Sequence, residues 1–391
     1  MKILIITPDI YPFQKGYGGR NPLYLFEAFN KMGHSVKLLT SVPAKVYYSI
    51  NPNEVIKNLE IVRLHSFDFL PDDFQYVSPI YISDVEKVRR ILSKEDYDIL
   101  ILNDYFWSLS FLALIFIGRR NRSRIIMVNH GIISPPGYFL KLLFKLFSDF
   151  VSRVFIPQFM GILSYSRRSH DSISKIVNRY GKLHVHPSCI DNIKFINDYK
   201  KSLLLPEDYL DKKFGISSDF VFSIGAVSSH KGYDVLIKAF HMLTTEYVDL
   251  ILVIAGQPSS FSGTLKTLAE QLDISNRVKF IGPIEEEEKF FMLRKCSMFA
   301  IPSISEGFGA GAMEADILQV KVLATETGSH ADILSNNKFA KIITPGDVTG
   351  LYGGIKALLS IPDEPKRTLN TEKLNSYSCE LLASYILSIA K

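Results

Sequence analysis

Short apolar runs alternate with helix-like segments along the whole 391-residue chain, and this alternation constrains the fold more than any other feature of the sequence. Runs of Ile, Val, Leu and Phe without polar alternation suit strands buried on both faces. Such strands belong to parallel sheets covered by helices on either side. In the first half the pattern predicts strands at Lys2–Thr7, Ser35–Thr40, Leu59–Leu64, Asp98–Leu102, Arg124–Asn129, Gly161–Tyr165 and Leu183–His186. In the second it predicts Phe220–Ile224, Leu250–Ala255, Val278–Ile281, Met298–Ile301, Lys321–Ala324 and Ala340–Ile343. A polar stretch of weak periodicity, Asp191 to Ser218, separates the two sets, and the domain junction is placed at its start. The expected architecture is α/β: two doubly wound, Rossmann-like parallel sheets over residues 1–190 and 191–370, followed by a helical segment at 371–391 that returns toward the first domain. Open sheets of this kind bind ligands beyond the carboxyl ends of their strands, so two facing sheets are expected to hold a site in the cleft between them.

The composition fits two ordinary globular domains, with 47% hydrophobic residues and a net charge of +5. The charge is uneven: residues 1–200 carry 26 Lys and Arg against 17 Asp and Glu, and residues 201–391 carry 19 against 23. The basic half should face something negative, such as a phosphorylated acceptor or an anionic membrane surface, and nothing in the sequence points to nucleic acid. Cys189, Cys296 and Cys379 are odd in number, far apart and without metal-ligand spacing. They read as reduced thiols of a reducing compartment, with no disulfide expected. The opening run Met1 to Thr7 is a strand rather than a secretory signal, and the most apolar stretch, Phe106 to Ile117, is too short for a bilayer, so a cytoplasmic protein is expected. Tyr138 to Phe155 reads as a helix whose polar stripe is Lys141, Lys145, Asp149 and Arg153. Either it is a core helix with one solvated stripe, or it is a basic amphipathic surface that rests on anionic lipid at the cytoplasmic face.

The stretch with most chemistry runs from Pro302 to Glu314. A strand ends at Pro302, a turn follows with Gly307, Gly309 and Gly311, and a helix starts with two carboxylates, Glu306 and Glu314, eight positions apart. Glycines there bring bare N–H groups against a ligand at the positive end of a helix dipole, which suits anionic or polyhydroxyl ligands. A second glycine loop, bracketed by Gly225 and Gly232, delivers Lys231 just before a helix, where an ammonium can neutralise phosphate oxygens. In the first half, Gly16, Gly18 and Gly19 follow the first strand and a helix starts near Leu23. Their spacing is wrong for a dinucleotide fingerprint, and the next strand lacks the acidic residue that would hold a ribose, which argues against a nicotinamide or flavin site. Asn103 and Asp104 end one strand and His130 follows another, all at carboxyl edges. His130 fits either a satisfied loop histidine or a hydrogen-bond donor to substrate oxygens. Asp96-Tyr97-Asp98 spells a metal-holding triplet but lies at the amino edge and is discarded.

Taken together, these motifs resemble the retaining GT-B nucleotide-sugar glycosyltransferases of family 4. The resemblance rests on Gly18 and Gly19 after the first strand, His130 at a mid-domain strand end, Lys231-Gly232, and the Glu306–Glu314 pair inside Pro302-Ser303-x-x-Glu306-Gly307-Phe308-Gly309, with His186 to Asp191 standing where the family has its linker motif. It implies transfer of a hexose, glucose or mannose, from a UDP- or GDP-sugar to a hydroxyl of a glycan or lipid-linked saccharide. The first domain would take the acceptor and the second the donor. As negative charge builds on the leaving phosphate, Lys231 and the N–H groups of Gly309, Ala310 and Gly19 would meet it, with no metal or other cofactor required. Glu306 would lie near the sugar and His130 would bond it from the other domain, while Glu314 would accept both ribose hydroxyls. Gly18, Gly225, Gly307 and Phe308 complete the donor-side candidates, and Asn103, Asp104 and Arg20 are those for the acceptor.

Three departures from the family pattern stand out. Ala226 replaces the usual arginine and removes a cation from the diphosphate site, a loss on the order of 2–4 kcal/mol unless His230, Arg20 or Arg168 makes it up. Ser188-Cys189 replaces Asn-Gly, and Asp316 follows Glu314 closely. Ala226 also supports a rival reading, a non-catalytic subunit that binds nucleotide sugars for a glycosyltransferase complex.

Overall fold

The computed structural model describes residues 1–8, 17–43, 60–67, 80–105, 108–130, 138–177, 182–362 and 368–390. They form two compact units, Met1–Ile190 with Tyr377–Lys391, and Asp191–Ser376.

Unit 1 holds a seven-stranded sheet in the order β3-β2-β1-β4-β5-β6-β7. The strands are β1 (Lys2–Thr7), β2 (Ser35–Pro43), β3 (Ile61–Ser66), β4 (Ile99–Asn103), β5 (Ile125–Asn129), β6 (Gly161–Ser164) and β7 (Leu183–Val185). All pairings are parallel, with Ile5 facing Leu38 on one side and Ile101 on the other. Every residue of β4 and β5 is buried. Helices on both faces dictate this, since a strand covered on each side has no position for a solvated side chain. The order reverses at β1, so the switch point lies between the carboxyl ends of β1 and β4. Helix α1 (Tyr17–Lys31) follows β1 and begins earlier than the sequence suggests: Gly18 and Gly19 lie in its first turn rather than in a loop before it, and Pro22 lies within it. A helix start leaves its first N–H groups unpaired whatever the residue, so glycines are accommodated there. Helix α2 (Tyr138–Val154) lies between β5 and β6.

Unit 2 repeats the plan with six strands in the order β10-β9-β8-β11-β12-β13. These are β8 (Phe220–Ile224), β9 (Ile251–Ala255), β10 (Val278–Gly282), β11 (Met298–Ile301), β12 (Val322–Thr325) and β13 (Ala340–Ile343), again all parallel. Helix α3 (Tyr233–His241) buries Leu236, Ile237 and Phe240 completely against the sheet. Each such side chain contributes about 1.5–3 kcal/mol relative to exposure. Helices α4 (Glu286–Lys295) and α5 (Ala310–Ile317) precede and follow β11.

The last helix, α6 (Cys379–Ile389), packs on α1 in unit 1. It is anchored where the chain leaves and re-enters that unit: the Ile190 N–H donates to the Tyr377 carbonyl at 2.8 Å, and Ile190 pairs with Ser378. The expectation of three free thiols is overturned here. Cys189 and Cys379 are joined as a disulfide with their Cα atoms 4.8 Å apart, and Cys296 is a buried thiol outside that bond. The cysteine argument for a reducing compartment therefore falls. Among the described residues no helix is long and apolar enough to cross a membrane.

Candidate active site

In unit 2 the switch point falls between the carboxyl ends of β8 and β11, and both candidate loops emerge there. Gly225 continues from β8, its N–H donating to the Ala255 carbonyl at 3.0 Å, and a short 3-10 turn at Ser229–Lys231 presents Lys231. The two loops are knitted through the backbone, since the His230 carbonyl accepts from Ile304 N–H at 2.8 Å and from Ser305 N–H at 3.2 Å. Gly232 permits the approach. Its φ is +67°, and a Cβ there would lie 2.1 Å from the Pro302 carbonyl oxygen.

This knitting brings Lys231 Nζ to 2.6 Å from Glu306 Oε2, and Ser303 Oγ donates to the same oxygen at 3.0 Å. Burial works against charge on Glu306, but the ammonium beside it prevails and holds the carboxyl below its ordinary value. The pair is thus an ionised couple at low exposure. Phe308 is buried, Gly307 is exposed, and Gly309 is the residue from which α5 departs with Ala310 first.

Glu314 lies further along α5, and its Oε1 receives Lys289 Nζ at 2.7 Å. Lys289, on α4, also reaches Glu286 Oε2 at 2.8 Å. Burial opposes its charge, yet the two carboxylates raise the ammonium above its ordinary value. Ala226 is exposed. Asp316, by contrast, is buried and structural: its Oδ1 accepts from Asn337 Nδ2 at 2.8 Å and from Lys373 Nζ at 2.5 Å.

In unit 1, Asn103, Asp104 and His130 come together at the carboxyl edge of β4 and β5. The His130 N–H donates to Asp104 Oδ1 at 3.1 Å, and its Nε2 lies 3.1 Å from Asn103 Oδ1. Removal from bulk water pushes the His130 imidazole down to about 4, so it is neutral at neutral pH. A neutral ring has one N–H and one bare nitrogen, and with Nε2–H on Asn103 it is Nδ1 that accepts. The Tyr165 ring meets it edge-on at 5.1 Å. Asp104 is buried with φ of +49°, a left-handed backbone uncommon for non-glycine residues, though Asp adopts it more readily than most. Arg20 lies in the first turn of α1, half-buried. Its neighbour Asn21 holds the linker, donating through Nδ2 to Ser188 Oγ at 2.9 Å and accepting from the Tyr165 hydroxyl at 3.3 Å.

Two family models match the chain. Residues 20–192 match the model described as Glycosyltransferase Family 4, and residues 209–373 match Glycosyl transferases group 1. The chain belongs to the family 4 glycosyltransferases. Its relatives include a D-inositol 3-phosphate glycosyltransferase of Corynebacterium urealyticum, 30% identical over 156 residues (38% of this chain and 37% of that protein). Another is the O-antigen chain mannosyltransferase RfbU of Salmonella typhimurium, 23% identical over 60% of each chain. The matches thus span less than two thirds of these relatives. Among solved structures, a glycosyltransferase from Rickettsia africae superposes with a TM-score of 0.73 at 17% identity, covering 100% of this chain and 97% of that one. Anabaena HepE, solved in complex with UDP and glucose, superposes with a TM-score of 0.65 at 17% identity over 100% of this chain and 97% of that one. Both show the GT-B fold.

The sequence pattern did not mark Ser303 and Lys289 in unit 2 or Asn21 in unit 1. Ser303 sits inside the quoted motif and was readable as a hydroxyl one turn from Glu306. Lys289 and Asn21 act on partners distant in the chain, Glu314 and Ser188, and no local spacing marks them.

Proposed function

We propose that this chain is a retaining glycosyltransferase that moves a hexose, glucose or mannose, from a UDP- or GDP-sugar to a hydroxyl of a glycan or lipid-linked saccharide. The observation that carries the reading is the half-buried Lys231–Glu306 ion pair beside a glycine turn that opens a helix. Breaking the bond between the anomeric carbon and the phosphate oxygen leaves negative charge on the nucleoside diphosphate. Lys231 and the N–H groups of Gly309 and Ala310 meet that charge, so the reaction requires no metal. Glu306 orients sugar hydroxyls and faces the positive character at the anomeric carbon, while Glu314 accepts from the ribose. The acceptor oxygen bonds to the same face of that carbon, and its proton leaves with the departing phosphate. Gly18, Gly19, Gly225, Gly307 and Phe308 line the donor, His130 contributes to sugar binding, and Asn103, Asp104 and Arg20 serve the acceptor. The chain works at a membrane surface, with α2 against anionic lipid.

The test is donor turnover. Incubated with a panel of UDP- and GDP-sugars, the protein should release nucleoside diphosphate slowly without acceptor and faster with one. Glu306→Ala should abolish release, and Lys231→Ala should lower kcat about 10²–10³-fold. A protein that binds a nucleotide sugar tightly yet releases no diphosphate from it under either condition would instead be the non-catalytic binding subunit that Ala226 suggests.

A further inference from the structure

Beneath the glycine turn of unit 2 lies a histidine that the proposed reaction does not use. His330 follows β12 and is fully buried. Its Nδ1 lies 2.9 Å from the Thr325 carbonyl and 3.4 Å from Thr327 Oγ1. A carbonyl only accepts, so Nδ1 carries the hydrogen and the neutral ring presents a bare lone pair at Nε2. That Nε2 is buried and meets no hydrogen-bond partner. It points at the backbone of Gly309: a Cβ there would lie 2.4 Å from Nε2, and Gly309 has φ of +93°. The loop carrying His330 is fastened to the turn above it, because Ser329 N–H donates to the Phe308 carbonyl at 2.9 Å, and a Cβ on Gly328 would stand 3.2 Å from Glu306 Cβ. A histidine with an unsatisfied nitrogen thus forms the floor of the turn that receives the donor's phosphates.

Resting on the donor-site reading above, we propose that His330 takes up a proton when the diphosphate of the donor binds, becoming the counter-ion of Glu306 as Lys231 turns to the phosphate oxygens. Charge balance motivates it. In the free protein Lys231 and Glu306 cancel each other, and Ala226 supplies no cation where the family pattern has an arginine. A nucleotide sugar brings two negative phosphates. The charged groups acting on the imidazole are Glu306, which favours its protonated form, and Lys231, which opposes it, while burial is the largest influence and keeps the ring neutral. When Lys231 moves to phosphate, its opposition weakens, the pull of Glu306 is uncovered, and the phosphates add to that pull. All three changes act in one direction. The bond balance is simple: a solvent proton is bound at Nε2, and nothing is oxidised or reduced. His330 touches neither sugar nor phosphate in this scheme, so it is a positioning and charge-compensating residue.

The experiment is calorimetric titration of the protein with UDP-glucose and GDP-mannose in buffers of different ionisation enthalpy. These probes lack the terminal phosphate that titrates near pH 6, so any proton taken up belongs to the protein. The expected result is uptake of a large fraction of one proton at pH 7. The group starts below its ordinary value and rises on binding, so affinity should strengthen as pH falls from the bound pKa to the free one, by at most about tenfold per pH unit. His330→Gln should remove both the uptake and the pH dependence, whereas His230→Ala, which deletes the exposed neighbouring imidazole, should keep them. Binding without uptake, uptake that survives in His330→Gln, or uptake lost in His230→Ala alone would each overturn the inference while leaving the donor site standing. Should His330→Gln not fold, the ring proton resonance of His330 in the wild type decides. Its titration midpoint must rise on adding the nucleotide sugar, and an unchanged midpoint overturns the proposal. If neither nucleotide sugar binds, the donor-site reading fails and this inference with it.

Discussion

Glu314 gains its character from Lys289, a buried residue of α4 that is invisible as a partner in the sequence. The ammonium lies 2.7 Å from Glu314 Oε1 and 2.8 Å from Glu286 Oε2, and all three side chains are at most one-third exposed. Glu314 Oε1 is therefore engaged by that ammonium, and a carboxylate offers about four acceptor positions in all. We expect Glu314→Gln to weaken nucleotide-sugar binding by about 1.5–3 kcal/mol, the range for hydrogen bonds to a charged group, and to erase preference for ribose over 2′-deoxyribose. Equal wild-type affinity for the two nucleotides would refute the ribose role. Lys289→Met should raise KM for the donor while sparing kcat, because it disturbs a binding carboxylate and not the reacting centre. At this scale the sequence was half legible. Glu306, Glu314 and Lys231 could be read because strand, glycine and helix start tie them to a local backbone pattern. Lys289 follows four glutamates and looks like one more solvated charge, and only the packing of α4 shows otherwise.

Elements were easier to read than residues, and the reason is burial. A parallel strand covered on both faces leaves an uninterrupted apolar run, so β1, β8 and β11 were visible with their observed ends, while β2 and β3 each run further at their carboxyl ends because pairing from Leu38–Ile61 to Pro43–Ser66 outlasts the hydrophobic stretch. Loop geometry was not visible in the same way. Gly232→Ala should cost at least about 2 kcal/mol, since a Cβ would strike the Pro302 carbonyl and the residue's φ is left-handed. It should also separate Lys231 from Glu306, and a lowered melting temperature together with lost donor release would show both effects. Helix α2 carries the other element-scale prediction. Leu142, Leu143, Leu146 and Phe150 are 44–58% exposed, with Lys145 and Arg153 also at the surface, while Phe144, Phe147 and Val151 pack into the core of unit 1, so the helix has one core face and one exposed apolar face. Vesicles with anionic lipid should therefore float the protein, and neutral ones should do so less well. Leu146→Glu with Phe150→Glu should abolish flotation. Binding that ignores both salt and lipid charge would exclude electrostatic attachment.

At the scale of the whole molecule the chain leaves unit 1 after Ile190 and returns at Tyr377, and the disulfide between Cys189 and Cys379 closes that excursion within two residues of each crossing. Cysteine counting could not find it, because a separation of 190 residues carries no spacing signal and the pairing exists only once unit 2 is folded as an insertion. The same geometry fixes its consequence. A cross-link over so long a loop removes denatured-state entropy worth up to about 5 kcal/mol in the chain-entropy account, and it fastens α6, whose Leu382, Ala383 and Ile386 are fully buried, beside the end of the linker. Peptide mapping without reductant should recover the Cys189 and Cys379 peptides joined, with Cys296 unmodified until the protein unfolds. Reductant should lower the apparent melting temperature and expose α6 to protease before unit 2 is cut. Cys379→Ser should reproduce the reduced behaviour and respond no further to reductant. A mapped protein whose two cysteines alkylate freely in the folded, unreduced state would show that the crossing is held by the Ile190–Tyr377 hydrogen bond and apolar packing alone.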